Sequence, residues 1–384
     1  MEKILVIEQG GNGGVCHYTY ELINALSENE VSVGLFTSND YELIDSPRNF
    51  QLYNKIYWSR NKVLKKLKIN KVLNILYYLI SLFSLYKIIK KEKYNTVHIQ
   101  GLYFLPLNVL TLRIAKMMKC KIIFTPHNTF PRYNKEYLNN YFQLMFRYSN
   151  KIIVHSEFDF NRLVNSYKIN EKKISVIPHG NFGIFSRVEQ NVKPITSKKK
   201  KVVLFFGYIR SDKGLEYLID GFADFLRDVS NKEEYILNIV GRPEGKFDKY
   251  QAKIDKNKIK SSVNCTLGYI PFEEVGEYFR NSDVIVLPYL EISQSGILQI
   301  AMAYGKAIIV SNVGGLPEII TDGKNGYVVE PKSAVQISEA LKKAFGNYDR
   351  LLEMGKLNKR LSETDFSWGS IAKKTLDLYR SGDY

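Results

Sequence analysis

The feature that most constrains this chain is the stretch from Asp283 to Glu318, DVIVLPYLEISQSGILQIAMAYGKAIIVSNVGGLPE. An apolar run predicts a buried strand at Val284–Pro288, and a second strand at Ala307–Val310 follows a loop and a helix. Two short apolar strands joined through a helix are typical of a parallel sheet, because parallel strands need a crossover connection. The stretch therefore predicts an open α/β sheet, in which ligands bind at the carboxyl ends of the strands.

The loop between the first strand and the helix is the candidate binding element. Backbone N–H groups at a helix N-terminus have no partner within the helix, and they attract a phosphate. The polar and small residues of this loop are Glu291, Ser293, Gln294, Ser295 and Gly296. An ordinary turn with a serine helix cap would use the same residues, and this stretch alone leaves both interpretations open.

The start of the chain repeats the strand–turn–helix pattern. Lys3–Glu8 is an apolar run, and a glycine-rich turn with Gly11, Gly13 and Gly14 separates it from a helical pattern. Glycine permits a positive φ and lets a ligand approach the backbone closely. The spacing differs from the nucleotide-binding G-x-G-x-x-G pattern, so a tight turn without a ligand remains the alternative.

Length and strand distribution predict two domains. A chain of 384 residues is longer than one compact core usually holds. A polar stretch at 183–200 lacks apolar periodicity and is predicted to be a linker. The expected domains are 1–185 and 198–365, and a last amphipathic helix is expected within 366–384.

Cysteine spacing and the first residues exclude several classes of protein. Cys16, Cys120 and Cys265 are far apart and have no CxxC or Cys/His spacing, so neither disulfides nor a zinc site is indicated. The N-terminus enters a strand without a signal-peptide pattern, which predicts a cytoplasmic protein. No basic and aromatic module typical of nucleic-acid binding is present, and nucleic acid is not an expected partner.

The net charge of +16 is concentrated in one segment. Residues 51–150 contain 18 Lys and Arg against 2 Asp and Glu, so this segment alone carries +16. Within it, residues 61–93 place the apolar run Val72–Tyr86 between lysine clusters. Fifteen residues are short for a hydrocarbon core of roughly 30 Å, which argues against a transmembrane span. A buried helix and a basic helix on an anionic membrane surface remain, and the flanking lysines favour the membrane surface.

The turns in the second half of the chain bring cations to the predicted loop. Arg210 and Lys213 follow one apolar strand, and Arg242 follows the next. Parallel strands end at the same sheet edge, so these side chains are expected near the helix N-terminus at residues 293–296. Such cations beside a helix N-terminus suit a diphosphate.

Four of the five histidines are predicted at or near strand ends: His98, His127, His155 and His179. Each one alone is typical of a structural hydrogen-bonding residue. Together they indicate one crevice along the carboxyl edge of a parallel sheet. None has metal-binding spacing such as HExxH.

Four features of the chain together point to a known family: two Rossmann-like halves, the opening glycine turn, GYIRSDKG from Gly207 and GILQIAMAYGKAIIVSNVGGLPEII from Gly296. In these features the chain resembles the retaining glycosyltransferases of glycosyltransferase family 4. The resemblance covers nearly the whole chain. It implies an α/β GT-B fold, with two Rossmann-like doubly wound parallel-sheet domains facing a central cleft and a last helix returning to the first domain. Such enzymes transfer a sugar from a nucleoside diphosphate donor, bound mainly by the C-terminal domain, to an acceptor held by the N-terminal domain.

The resemblance also implies roles for single residues. Arg210 and Lys213 would hold the donor diphosphate and neutralise charge on the leaving group without a metal. His127 would lie beside the transferred sugar, and Glu291 would contact sugar hydroxyls. The expected donor-binding residues are Gly11, Gly13, Gly14, Arg242, Tyr269, Ile270, Ser293, Gln294, Ser295 and Gly296.

The chain departs from the family pattern at two places. The usual Glu-x7-Glu is not intact, since Ile292 and Ile300 occupy its two positions and Glu291 lies one residue early. The Ser-Gln-Ser-Gly form resembles a variant within the family, which implies an altered contact to the donor ribose rather than lost activity. Tyr208 stands where Arg is common, and Arg210 is expected to replace it.

The expected function is a retaining, metal-independent hexosyltransferase without a cofactor. It would move a sugar from a nucleoside-diphosphate sugar to a lipid-linked or saccharide acceptor in surface polysaccharide biosynthesis, as a peripheral protein on the inner face of the cell membrane. The alternative is a non-catalytic GT-B-like subunit that scaffolds a partner glycosyltransferase. The broken Glu-x7-Glu favours that alternative, and the retained Arg210 and Lys213 oppose it. A GT-B epimerase is disfavoured by the basic apolar segment.

Overall fold

The chain divides into two compact units. Unit 1 comprises Met1–Pro178 and Trp368–Tyr384, and unit 2 comprises His179–Ser367. The computed structural model describes residues 2–57, 70–101, 105–129, 139–183 and 200–381. Most of the predicted linker at 183–200 lies outside the described residues.

Unit 1 contains a seven-stranded sheet in which every paired strand is parallel. Its strands are β1 Lys3–Glu8, β2 Ser32–Ser38, β3 Gln51–Ile56, β4 Thr96–Gln100, β5 Lys121–Thr125, β6 Lys151–Val154 and β7 Ile174–Val176. Their order is β3-β2-β1-β4-β5-β6-β7, so the order reverses between β1 and β4. Strand β3 was not predicted, because this edge strand is only partly buried and its sequence QLYNKI is not an apolar run.

The described helices of unit 1 are α1 Gly14–Ser27, α2 Asn70–Glu92, α3 Leu105–Met117, α4 Asn139–Tyr148, α5 Glu157–Tyr167 and α13 Trp368–Arg380. Helices α2 to α5 contribute apolar side chains to one core with the sheet, and α1 and α13 bury further side chains of their own. Helix α1 begins at Gly14, within the predicted glycine turn. The histidine at position 98 lies inside β4, fully buried, and not at its end.

Helix α2 is the described part of the predicted 61–93 segment; residues 61–69 lie outside the described residues. It has 23 residues, roughly 34 Å at the usual rise per residue, and is longer than its apolar run suggested. One face enters the core through Tyr78, Leu82, Leu85 and Ile89. The segment is thus partly buried.

Helix α13 is fixed to unit 1 by a buried lysine on β5. The Nζ of Lys121 donates to the carbonyl oxygens of Leu378, Tyr379 and Ser381 at 3.3, 2.7 and 2.9 Å. Carbonyl groups at a helix C-terminus lack partners within the helix and carry partial negative charge, so a cation stabilises them. The contact attaches the C-terminal helix to the N-terminal sheet.

Unit 2 contains a six-stranded parallel sheet in the order β10-β9-β8-β11-β12-β13. Its strands are β8 Lys201–Phe206, β9 Tyr235–Gly241, β10 Val263–Leu267, β11 Val284–Leu287, β12 Ala307–Ser311 and β13 Gly326–Val329. Its helices are α6 Leu215–Asp228, α7 Asp248–Lys256, α8 Phe272–Arg280, α9 Gly296–Ala303, α10 Leu316–Ile319, α11 Ala334–Gly346 and α12 Tyr348–Glu363. The strand order reverses between β8 and β11, which is where ligands bind in such sheets.

Candidate functional site

The turns at the carboxyl edge of the unit 2 sheet hold one another by backbone hydrogen bonds. Ile209 N donates to the Arg242 oxygen at 2.9 Å, and Leu290 N donates to the Asp212 oxygen at 2.8 Å. Gly214 has a φ of 62°, and a Cβ there would lie 1.9 Å from the Pro288 carbonyl oxygen. The turn after β8 therefore packs directly on the end of β11, as the sequence predicted for neighbouring turns.

Arg210 is held in place by an acidic neighbour. Its Nε and Nη2 donate to the two carboxylate oxygens of Asp212 at 2.8 and 2.7 Å, and Glu244 lies 3.8 Å from Nε. Burial raises the pKa of Asp212, but the Arg210 hydrogen bond and the charges of Lys213 and Arg210 outweigh it and leave the pKa below its usual value. The bidentate pair fixes the guanidinium, which is mostly buried, at the sheet edge.

Lys213 and the predicted loop meet at the buried side chain of Tyr289. The Lys213 ammonium lies 3.8 Å from the centre of the Tyr289 ring, a cation–π contact. Burial raises the pKa of Tyr289 to about 12, although its hydrogen bond with Ser295 opposes the rise. The structure thus brings together three predicted residues, Arg210, Lys213 and Ser295, and adds Tyr289, which the sequence interpretation missed.

The loop at 291–296 divides into an exposed and a buried part. Glu291 is exposed, whereas Ser293 and Ser295 are buried. The Ser295 hydroxyl accepts from Leu298 N at 3.3 Å and caps helix α9. Ser295 is therefore a serine helix cap, as the alternative interpretation predicted. The other N–H groups of the first turn have no acceptor within the helix. Gln294 is partly buried.

The remaining predicted donor contacts of unit 2 lie at the ends of β9 and β10. The side chains of Arg242 and Tyr269 are exposed, and Tyr269 has 70% of its surface accessible. Gly268 N donates to the Gly241 oxygen at 3.0 Å, which joins these two turns. Ile270, next to them, is partly buried.

The glycine turn of unit 1 is held by two carboxylates. The buried Glu8 accepts from Gly10 N at 2.8 Å, from Gly11 N at 2.9 Å and from the Thr37 hydroxyl at 3.0 Å. Glu42 accepts from Gly13 N at 3.0 Å and pairs with His17. Amides that already donate to carboxylates do not cradle a phosphate.

Gly11, Gly13 and Gly14 were predicted to contact the donor. Gly11 and Gly13 have φ values of 72° and 77°, which glycine adopts without strain. Gly14 begins helix α1, and a Cβ there would meet no atom within 4 Å. Their backbone shape permits close approach of a ligand. The carboxylates of Glu8 and Glu42, which accept from the amides of this turn, favour an uncharged part of that ligand over an anionic one.

His127 lies in a strained and crowded position at the end of β5. It is a non-glycine residue with a φ of 56°, and Nε2 lies 2.8 Å from Oε1 of Gln100. Its ring lies edge-on to Tyr18 at 4.7 Å and 5.2 Å from His155. A left-handed backbone at a non-glycine residue is costly and is found disproportionately at functional sites.

Two other histidines of unit 1, His98 and His155, are also buried. Burial lowers the pKa of His98 to about 3, and its Nδ1 contacts the Tyr379 hydroxyl at 2.5 Å. Burial also lowers the pKa of His155, whose Nδ1 lies 2.8 Å from the Ile177 oxygen. Both rings are therefore neutral at pH 7. Among the residues that the structure describes, no three His, Cys, Asp or Glu side chains form a group suited to a metal ion.

Two sequence families match this chain in succession. Residues 12–180 match Glycosyltransferase Family 4, and residues 187–364 match Glycosyl transferases group 1. The fold is that of HepE from Anabaena, solved in complex with UDP, with a TM-score of 0.75 over 99% of both chains at 13% identity. The chain is a family 4-like glycosyltransferase of the GT-B fold. The predicted family and fold class are thereby confirmed.

This glycosyltransferase also has curated relatives of low identity. An uncharacterized 41.2 kDa protein in the cps region of Klebsiella pneumoniae is 25% identical over 66% of this chain and 70% of the relative. The D-inositol 3-phosphate glycosyltransferase of Paenarthrobacter aurescens is 25% identical over 60% of this chain and 57% of the relative.

Sequence reasoning missed three residues of the two sheet edges: Glu8, Tyr289 and Gln299. Glu8 ends an apolar strand and Gln299 is the only polar side chain in helix α9, so both carried the signal of a polar residue in a buried element. Tyr289 gave no such signal, because the cation that it contacts, Lys213, is distant in sequence.

Proposed function

We propose that this glycosyltransferase moves a sugar, with retention of anomeric configuration, from a nucleoside-diphosphate sugar to a lipid-linked or saccharide acceptor. The observation that carries the proposal is the unit 2 edge, where Arg210, Lys213 and the N-terminus of α9 converge through Tyr289. The structural neighbour HepE, solved with UDP and with UDP-glucose, supports this donor class. The Klebsiella relative in the cps region supports a role in surface polysaccharide biosynthesis.

The cations act on the leaving group. As the bond between the anomeric carbon and the diphosphate oxygen breaks, negative charge grows on the diphosphate, and fixed cations stabilise it. The acceptor oxygen bonds to the anomeric carbon on the same face, and its proton passes to the departing phosphate. Arg210 is suited to this role because Asp212 holds its guanidinium in one orientation. Lys213 and the α9 amides add to the positive field, and no metal is required for it.

His127 and Glu291 have supporting roles in this proposal. His127 binds a hydroxyl of the transferred sugar, and its strained backbone and Gln100 contact support a fixed orientation of the ring. Glu291 is exposed beside the capped helix and accepts from sugar hydroxyls. The rival function, a non-catalytic scaffold, is not favoured. A protein that binds no donor would not need two cations, Arg210 and Lys213, held in fixed positions at this sheet edge.

A thermal-shift panel of UDP-, GDP-, ADP- and dTDP-sugars tests the donor assignment. A ligand that binds only the folded protein raises its stability by mass action, by about 2.7 kcal/mol at a hundred times Kd. We expect one base to stabilise the protein selectively and the Arg210→Ala/Lys213→Ala variant to lose the response. A well-folded protein that responds to none of them would favour the scaffold instead.

The exposed face of α2 supports peripheral attachment to an anionic membrane. Val72, Leu76, Ile80 and Phe83 recur along one side of the helix and are 60, 51, 54 and 58% exposed. In the described part of the chain, one helical segment is long and apolar enough to cross a membrane, Val72–Glu92 of α2. Its apolar window has a mean hydropathy of 1.7, and 28% of that window is buried.

An orientation in the membrane plane accounts for both faces of α2 better than a span does. The face with Tyr78, Leu82 and Leu85 packs in the unit 1 core, and a spanning helix would have to leave that core. The exposed apolar face is followed by Lys87, Lys90 and Lys91, which attract anionic headgroups.

Vesicle co-sedimentation with phosphatidylglycerol tests this attachment. We expect Leu76→Ser/Phe83→Ser to lose binding, while Val335→Ser/Leu352→Ser, which removes equally exposed apolar side chains from unit 2, retains it. Binding should also weaken with salt, because headgroup attraction is screened. Equal binding by both double variants would exclude α2 as the contact.

A further inference from the structure

A continuous chain of buried side chains within unit 1 joins His127 to the C-terminal helix α13. Nε2 of His127 lies 2.8 Å from Oε1 of Gln100, and Nε2 of Gln100 lies 3.2 Å from Nε2 of His98. The ring of His98 continues the chain, since its Nδ1 lies 2.5 Å from the hydroxyl of Tyr379 on α13. Gln100 and His98 are fully buried, and His127 and Tyr379 are 6 and 2% exposed.

The amide of Gln100 makes the proton positions of the two histidines depend on each other. A side-chain amide has a donor end and an acceptor end, and each end of Gln100 faces the Nε2 atom of one histidine. The ring nitrogen at the acceptor end must carry a proton, and the ring nitrogen at the donor end must carry a lone pair. The Nε2 atoms of His98 and His127 are therefore in opposite states. Turning the amide over exchanges these states but keeps them opposite.

His98 meets this condition because it is neutral. Burial lowers the pKa of His98 to about 3, so at pH 7 its ring has one N–H and one lone pair. Its Nε2 also lies 2.8 Å from the hydroxyl of Thr125 on the neighbouring strand. With Tyr379 at Nδ1, the ring is held at both nitrogens and gives Gln100 a fixed reference.

The ring of His127 is restrained on other sides as well. Its backbone has a φ of 56°, and the ring lies edge-on to Tyr18 with 4.7 Å between the centroids. In the orientation that the Gln100 amide has in the structure, His127 donates from Nε2, so the lone pair of the neutral ring is on Nδ1. A ring that exchanges tautomers is in the accepting form for only part of the time, and its apparent affinity for a hydroxyl falls by that fraction.

We propose that Gln100 is a positioning residue, which fixes His127 in one tautomer by tying its proton position to that of His98. This assignment rests on the proposed function, in which His127 binds a hydroxyl of the transferred sugar, and it explains how the ring keeps one defined acceptor. A glutamine with a purely structural role would leave the proton position on His127 unchanged when it is replaced.

Nitrogen NMR of the ¹⁵N-histidine-labelled protein tests the proposal without a donor, at pH 8, above the usual histidine pKa of about 6.5. The chain has five histidines, so single-site variants can assign each signal. We expect His98 and His127 each to show one tautomer, with a proton on Nε2 in only one of the two rings. Gln100→Met, which removes both hydrogen-bonding ends at similar side-chain length, should convert His127 to a mixture of tautomers. Gln143→Met, the same exchange at a partly buried glutamine of α4, is the control and should leave the His127 signals unchanged.

A second variant separates coupling from direct contact. His98→Phe keeps Gln100 and His127 but removes the ring that orients the amide, so His127 should again show a mixture. The same Nε2 state in both wild-type rings, protons on both nitrogens of His127, or unchanged His127 signals in Gln100→Met would overturn the proposal. The wild-type spectrum gives this result even if a variant does not fold.

Donor affinity tests the proposed function separately. Calorimetry compares the sugar nucleotide that the thermal-shift panel selects with the corresponding nucleoside diphosphate. We expect Gln100→Met to bind the sugar nucleotide about two- to tenfold more weakly, from half occupancy of the accepting tautomer to loss of one hydrogen bond, and the diphosphate as tightly as the wild type does. Unchanged binding of both, with opposite Nε2 states in the NMR spectra, would confirm the coupling and overturn the sugar-binding role of His127.

Discussion

The two units use the same strand–turn–helix element with opposite electrostatics. In unit 1 the turn after β1 presents its amides to the carboxylates of Glu8 and Glu42. In unit 2 the turns after β8 and β11 place Arg210 and Lys213 beside the capped start of α9. A glycine-rich turn thus does not by itself indicate a phosphate site. The charges packed against the turn decide which ligand it can accept.

The largest expected effect concerns the cations of unit 2. Arg210→Ala/Lys213→Ala should lower turnover by about 10²–10³-fold, because preorganised charge on a leaving group has an effect of that size. Turnover is measured with the donor that the thermal-shift panel selects. Lys253→Ala, which breaks the ion pair with Asp220 elsewhere in unit 2, is the control and should remain active. Near-normal turnover of the double variant would remove the contrast between the units.

The next effect concerns the carboxylate of unit 1. In the wild type, a backbone N–H and a hydroxyl donate to the carboxylate of Glu8. Glu8→Gln replaces one acceptor oxygen with an NH₂ group that faces such a donor, and this should lower the free energy of unfolding by about 2 kcal/mol. In a domain of this size that corresponds to roughly 4–8 °C in Tm, measurable by calorimetry. Glu42→Gln, at a more exposed position with one amide contact, should shift Tm less. Equal shifts would show that burial of Glu8 does not matter.

A smaller effect is expected at the helix cap that only the unit 2 turn possesses. Ser295→Ala should lower the free energy of unfolding in urea by about 1 kcal/mol, because Leu298 N loses its acceptor. Helix α1 has Gly13 at its N-cap position and no side-chain cap, so the glycine turn of unit 1 has no equivalent. Ser295→Thr keeps the oxygen and should restore most of the stability; if it does not, the loss has another cause.

The smallest effect is a pH dependence of the Arg210–Asp212 pair. The folded pKa of Asp212 is below its usual value of about 3.9, so its contribution to stability is present above that value and is lost as the pH falls through the folded pKa. Arg210 lowers this pKa by its hydrogen bond and its charge, so the pKa of Asp212 is higher without Arg210 than in the wild type. The difference in Tm between wild type and Arg210→Ala should therefore narrow below about pH 4. A difference that is constant with pH would mean that the pair does not hold Asp212 ionised.

Several features could be predicted from the sequence because their cause is local. Apolar runs at the expected length gave the central strands of both sheets, and the glycine and polar turns between them gave the sheet edge that carries Arg210 and Ser295. The apolar run with its flanking lysines identified α2. The edge strand β3 failed this test, since its residues are only partly buried and form no apolar run.

The sequence by itself determined the α/β class, the alternation of the central strands with turns and helices, and the concentration of positive charge in one segment. Tertiary structure alone decided which partner each polar group has: Asp212 for Arg210, Tyr289 for Lys213, and Glu8 for the glycine amides. It also decided that the amide of Gln299 is buried with no partner among the described residues. Periodicity records which side of an element is buried, whereas a hydrogen-bond partner depends on residues that folding brings together from distant positions.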